Sequence, residues 1–358
     1  MRTRTGFSSL ISKEVPGWLE RVDPGTHRRI KGLRLVTAYG IAAMLGTLPA
    51  ISHGFPKGNL LSFLAAGFAL WASVSEGRAT RPESSRDLAL LVAAAGLGAG
   101  MVICLAPPLT GPRRPGPELI LATGAFLVGY MKRFGVLGTG LGSQVYIGQL
   151  LAYSMHLTFA DLPLVVDAGL IAALAAIIPR LLSGPAEHPT PASPTLSTAA
   201  GDRISEANAL FMGTQAAVAA SLIVALKDVF GLLESAWAIT ACTYVVASSR
   251  AGTIDRVRRR IMGTAIGVPL GLACLPLAIH APLLVWMAAA FAMIIYAMAL
   301  PERYDVACAA YAFTLIVTMA ATGDHSFMLL AARGWETLLG GILGLAAAML
   351  IVPSRSAA

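Results

Sequence analysis

Residues 281–300 read APLLVWMAAAFAMIIYAMAL, twenty positions without a charge. A bilayer core of ~30 Å is crossed by about 20 apolar residues in a helix, so this stretch predicts a membrane span. The same pattern recurs along all 358 residues. Spans are predicted at 33–51, 58–76, 87–106, 117–131, 136–156 and 162–182, then at 205–226, 234–249, 260–279, 281–300, 304–321 and 328–352. The composition agrees, with 56% hydrophobic and 13% charged residues, against about a quarter charged in ordinary soluble domains. A disordered chain, a secreted disulfide scaffold and an ordinary soluble enzyme are excluded. The expected fold is all-α: a polytopic membrane protein of about 12 transmembrane helices.

Lys and Arg fix the orientation. With the N-terminus in the cytoplasm, 22 of the 27 basic residues fall on the inner side, as the positive-inside rule requires. Both termini are then cytoplasmic, and residues 1–32 form a basic cytoplasmic segment. Trp237, Trp286 and Trp335 near predicted outer ends, and Tyr130 and Tyr296 near inner ends, read as interfacial anchors.

Residues 183–203, SGPAEHPTPASPTLSTAAGDR, hold four prolines and no apolar period. This is a cytoplasmic linker, dividing a first six-helix unit at 33–182 from a second at 204–353. The halves align. Arg78 and Arg250 are 172 apart, Gly96 and Gly100 match Gly267 and Gly271 at 171, and Phe126 matches Phe291 at 165. Pro179 matches Pro353 at 174. Six spans per half send both halves into the membrane in one direction, so two parallel six-helix repeats are expected, related about the membrane normal.

At offset 165, Ser143, Tyr146, Gln149, Leu150 and Tyr153 align with Cys308, Tyr311, Thr314, Leu315 and Thr318. Spacings of three and four gather the polar members on one helix face. Such faces turn inward, toward a polar pathway or toward interhelical hydrogen bonds. Tyr146, Gln149, Tyr311 and Thr314 are the candidate pathway residues. In the ninth span Gly263, Gly267 and Gly271 recur every fourth residue, a groove for a neighbouring backbone. Pro269 lies inside that run and aligns with Gly98. Both are poor residues for a helix interior, and paired interruptions point to a transporter's binding region.

Few ionisable residues fall within spans. Arg333 and Glu336 are three apart on the last helix, and Asp167 lies near the outer end of the equivalent sixth. They read either as a local ion pair, or as an anion-attracting arginine beside a carboxylate that exchanges protons, with Asp167 the second coupling candidate. Arg256, Arg258, Arg259 and Arg260 form a basic cluster beside a span, which reads as a contact with lipid headgroups rather than with nucleic acid.

Cys104, Cys242, Cys274 and Cys308 lie in apolar runs without C-x-x-C spacing, and no two histidines share a ligand-like spacing, so neither a metal nor another cofactor is expected. Gly138–Gly142 lacks the Lys and Ser/Thr of a phosphate-binding loop. No nucleophile–base arrangement is present, and no enzymatic role is expected.

The second half carries a recognisable order: Ala236-Trp237-Ala238-Ile239-Thr240, then Arg256 through Gly267, then Arg333-Gly334-Trp335-Glu336-Thr337 and a closing Pro353. Over about 205–353 it resembles the fusaric-acid-resistance (FUSC) family, which is related to aromatic-acid exporters and, more distantly, to plant aluminium-activated malate transporters. The resemblance implies a bacterial inner-membrane secondary transporter that exports small aromatic or other organic acids, coupled to protons. The other readings are a passive organic-anion channel and the membrane component of an adaptor-dependent efflux assembly. Implied partners are a small organic anion and membrane lipids, with a periplasmic adaptor protein and a homo-oligomer left open. Larger members carry a sizeable soluble domain where this chain has only the linker.

Overall fold

The structure is a computed structural model that describes residues 23, 27–52, 58–78, 80–111, 114–183, 205–233, 235–300, 302–321 and 326–350. Residues 1–22, residues 184–203 of the linker, and Pro353 lie outside the described residues. Every regular element among the described residues is helical.

Among the described residues, twelve helices of eleven residues or more follow one another: α1 His27–Thr47, α2 Gly58–Ser75, α3 Arg81–Leu105, α4 Ile120–Tyr130, α5 Gly135–Ser154 and α6 Leu162–Leu182, then α7 Glu206–Phe230, α8 Ser235–Val245, α9 Arg250–Ala273, α10 Pro282–Ala299, α11 Tyr304–Ala321 and α12 Phe327–Leu350. Local chemistry sets several ends. Ser205 accepts the Asn208 N–H at the start of α7, and Ser249 accepts that of Gly252 at the start of α9. Asp23 accepts the N–H groups of Arg28 and Arg29 at the start of α1. Such side-chain oxygens satisfy donors that a helix N-terminus leaves over.

Seven segments among the described residues are long and apolar enough to cross a membrane: Arg81–Leu105, Pro117–Ser154, Phe159–Leu182, Glu206–Phe230, Pro282–Ala299, Tyr304–Ala321 and Phe327–Leu350. The twelve-span expectation thus meets seven segments by length and composition. Asn59–Ser75 is apolar but shorter. Eleven-residue α8 is short, and α9 carries Arg250, Arg256, Arg258, Arg259 and Arg260 in its first half. The 38-residue segment Pro117–Ser154 is not one straight rod. Gly135, at φ +75°, turns the chain after residues 131–134. A Cβ on Gly124 would then lie 3.0 Å from the Tyr146 Cα, so α5 runs back along α4.

Packing repeats six helices on. In the first half α3 packs on α5 and α6, α4 on α5, and α6 on α1 and α2. In the second half α9 packs on α11 and α12, α10 on α11, and α12 on α7 and α8. Two reciprocal seams join the halves, α4 on α7 and α10 on α1.

Glycine sets the closest crossings. A Cβ on Gly98 would run into the Val145 backbone, and one on Gly148 into that of Ala95, holding α3 against α5. Gly263, Gly267 and Gly271 do the same for α9, meeting Asp305, Ala309 and Ile316 of α11. In lipid, where apolar burial does not drive helices together, this backbone approach is the chief packing term. Gly98 and Pro269 do not interrupt their helices: α3 and α9 run continuously through them. At Gly98 the missing side chain serves contact with α5. At Pro269 the helix tolerates one absent N–H.

Candidate functional site

A cavity of about 610 Å³ opens where α1, α2, α5, α8, α10 and α11 converge. Its size falls in the range of small-molecule sites, roughly 300–1,000 Å³. Two helices supply matched stripes. On α5 the lining residues include Ser143, Tyr146, Leu150 and Ser154, and on α11 Cys308, Tyr311, Leu315 and Met319. Each pair is 165 residues apart, the offset that aligns the two polar faces.

The walls are aromatic. Trp71 of α2 meets Tyr311 edge-on with centroids 5.4 Å apart, and meets Tyr296 at 6.2 Å. Tyr146 meets Tyr244 of α8 at 5.8 Å. Two hydroxyl contacts tie the first half to the second here. Ser143 Oγ and Tyr244 OH are 2.7 Å apart, as are Tyr146 OH and Thr240 Oγ1. Thr240 already donates to the Ala236 carbonyl, so Tyr146 is the donor in the second pair.

Tyr146, Tyr311, Thr314 and Arg333 of the expected pathway residues line the cavity. Tyr146 is nonetheless 0% exposed, sealed by its bond to Thr240. Thr314 Oγ1 reaches the Ala289 carbonyl at 3.4 Å. Gln149 is not in the lining: it is 0% exposed and its Nε2 donates to Thr123 Oγ1 of α4 at 3.0 Å. It packs between α4 and α5 because Gly124 leaves room for its amide.

Arg333 is 5% exposed, and its guanidinium carbon stands 4.0 Å over the Trp237 ring. A cation over an indole face is attracted by the ring quadrupole, more so when desolvated. Glu336, one turn on, lies outside the lining and is 0% exposed. Its Oε1 accepts the Leu233 N–H at 2.8 Å, fastening α12 to the turn between α7 and α8. Asp167 is half-buried on α6, away from the cavity. Neither carboxylate stands fully in bulk water, and no carboxylate lines the cavity among the described residues.

Sequence reasoning missed several lining residues. Trp237, Trp286 and Tyr296, expected as lipid anchors, line the cavity instead. Trp335 alone of the three tryptophans faces outward, 39% exposed. Arg260, expected among headgroups, also lines it. The available signal was helix length: α9 begins at Arg250, so Arg260 lies about 15 Å along it at 1.5 Å per residue. Among the described residues no group of His, Cys, Asp and Glu is arranged to hold a metal.

Residues 219–347 match the family model described as fusaric acid resistance protein-like. That match, with the seven apolar segments, relates the chain to membrane transport. Comparisons with curated proteins and with solved structures return no match.

Proposed function

We propose that this chain is a multi-pass protein of the bacterial inner membrane that exports small aromatic or other organic acids. Its twelve helices form two parallel six-helix repeats, with both termini in the cytoplasm. The reciprocal packing of the halves and the uneven distribution of Lys and Arg support that arrangement. One observation carries the functional reading: Arg333 stands on Trp237 in an aromatic cavity whose described lining holds no carboxylate. Such a wall attracts an anion and stacks against a ring. Tyr146, Tyr311 and Thr314 flank the path. Glu336, buried one turn behind Arg333, is the proton-coupling candidate, with Asp167 the second.

Proteoliposomes loaded with a panel of aromatic acids, with and without an imposed pH gradient, test class and energy source together. The expected result is uphill export with the gradient, lost in Glu336→Gln while gradient-free exchange persists. Arg333→Gln is expected to weaken substrate binding with or without the gradient. A passive organic-anion channel is the second reading, favoured by the absence of a carboxylate from the described cavity wall. It predicts fluxes that follow the substrate's electrochemical gradient and ignore the pH gradient. Uptake of no aromatic acid under either condition would overturn both.

A further inference from the structure

Two basic side chains line the cavity among the described residues, Arg333 and Arg260. They stand at different levels: Gly334, beside Arg333, packs on Val268, eight residues or about 12 Å beyond Arg260 along α9. Arg260 meets Tyr304, the first residue of α11, whereas Arg333 sits on Trp237 near the start of α8. The lining stripe of α11 runs from Tyr304 to Met319, about 22 Å at 1.5 Å per residue. Tyr311 lies between, close enough to feel both guanidinium charges.

The surroundings of Arg260, a half-buried cation whose Nε is out of contact with water, are incomplete. Its Nη1 donates to the Tyr304 hydroxyl at 3.2 Å, while its Nε has no hydrogen-bond partner. No carboxylate among the described residues pairs with it. Two of its neighbours in the cluster are committed elsewhere: Arg259 to Asp255 and the Glu302 carbonyl, Arg256 to the Val246 carbonyl. A guanidinium offers five donors in a rigid fork. Withdrawing it from water without a counter-anion is costly, and a carboxylate that engages two donors at once is its natural complement. At the register that aligns Gly96 with Gly267, Arg260 falls on Ala89, so the first half offers no second copy of this group.

We propose that Arg260 is a second anion-binding station, where the carboxylate of an organic acid docks at the Tyr304 end of the cavity, one level away from Arg333. The fork takes the carboxylate, Tyr304 holds the fork in place, and Tyr296 and Trp71 receive the ring. The anion then passes Tyr311 to reach Arg333. The station rests on the reading of the cavity as an organic-anion path, and it adds a residue and a sidedness to that path.

The test uses the full chain in sealed proteoliposomes, with benzoate as probe and exchange measured separately from each face. Arg260→Gln is expected to raise the half-saturating benzoate concentration about tenfold or more on one face only, and Arg333→Gln to do so on the other. Tyr304→Phe should give a smaller rise on the Arg260 face, and Arg260→Lys an intermediate one, since charge remains without the fork. Monodispersity and thermal stability are measured beside each variant. Should Arg260→Gln fail to fold, Arg260→Lys and Tyr304→Phe decide the matter. Folded Arg260 or Tyr304 variants with wild-type half-saturation on both faces overturn the station and leave the cavity reading intact. Equal weakening on both faces by Arg260→Gln and Arg333→Gln overturns it too, in favour of a single shared site. Wild-type protein that exchanges no benzoate overturns the organic-anion reading, and the station with it.

Discussion

The two seams between the halves use the same pair of helices in exchanged roles, yet they are lined differently: the aromatic cavity lies beside α1 and α10, whereas α4 and α7 carry a more open apolar groove at Phe126, Leu127 and Ala217. Where α4 crosses α7, Gly129 faces Gly213, and a Cβ on either would run into the other helix's backbone. Where α10 crosses α1, the residue matching Gly129 at offset 165 is Ile294, which faces Gly32. Leu121 and Met131 on the first seam correspond to Trp286 and Tyr296 on the second, and Gly124 corresponds to Ala289. The α4 side therefore closes glycine on glycine. The α10 side is propped by an isoleucine and lined by aromatic rings. A few side chains at matched positions set how closely each crossing packs and whether aromatic rings line the space beside it.

The sharpest way to break that comparison is to give the closed seam the open seam's side chain. Gly129→Ile places a branched chain against the Gly213 backbone, where an added Cβ already has no room. Overpacking of this kind costs about 1–3 kcal/mol and occasionally more. Thermal unfolding in detergent should drop clearly, with loss of monodispersity. The matched change at the open seam, Gly32→Ala, meets the Ile294 Cα and Cγ2 at 3.1 Å, tight contacts that a shift of a few tenths of an ångström relieves. It should cost much less. Equal losses at both sites would show that the seams do not differ in closeness.

A second effect separates the two matched tyrosines. Tyr146→Phe removes the bond to Thr240 that links α5 to α8, at about 1 kcal/mol of stability for a buried hydrogen bond. Thr240 keeps its bond to the Ala236 carbonyl, so no orphaned hydroxyl adds to the cost. Tyr311 lines the cavity, and its hydroxyl has no hydrogen-bond partner among the described residues. Tyr311→Phe should leave thermal stability within about 0.5 kcal/mol, as expected where no native contact is lost. Its effect should appear in benzoate half-saturation. A stability loss at Tyr311 equal to that at Tyr146 would remove the distinction.

The helical class and the order of the helices were legible in the sequence because long apolar runs mark them, but boundaries were not: α9 begins at Arg250, ten residues before its predicted span. The cavity-facing stripes of α5 and α11 were legible too, since spacings of three and four residues mark one helix face. The seams were not. Gly129 and Ile294 match in sequence, but their partners Gly213 and Gly32 come from the opposite half, and nothing local pairs them. The aromatic lining was hidden for a related reason. A tryptophan near a span end has the same local signature at a lipid interface and in an internal wall. Trp237 and Trp286 turn inward because α12 and α1 pack beside their helices. Gln149 carried the pathway pattern without joining the lining, since Thr123 on α4 supplied its partner.

The smallest effect concerns an ion pair that both seams possess. Arg28 at the start of α1 donates to both oxygens of Glu302, at 3.0 and 2.6 Å, in the turn before α11. Arg133, in the turn before α5, pairs with Glu206 at the start of α7. The two pairs are reciprocal, helix start to turn and turn to helix start. The hydrogen bonds from Arg28 hold the Glu302 carboxyl below its usual value, against burial and with the help of the Arg28 charge. A depressed carboxylate stabilises the fold above its unfolded-state pKa, and that contribution disappears as pH falls through the lowered folded-state value. Glu302 is 64% exposed, so water and salt screen the pair, and exposed pairs contribute about 0.2–1 kcal/mol. Glu302→Gln should therefore lower thermal stability slightly near neutral pH, and the difference from wild type should vanish under acid and shrink in high salt. Glu206→Gln tests the counterpart, where backbone contact already holds the helices. A larger loss there than at Glu302 would mean that the closed seam depends on charge and not on its glycines.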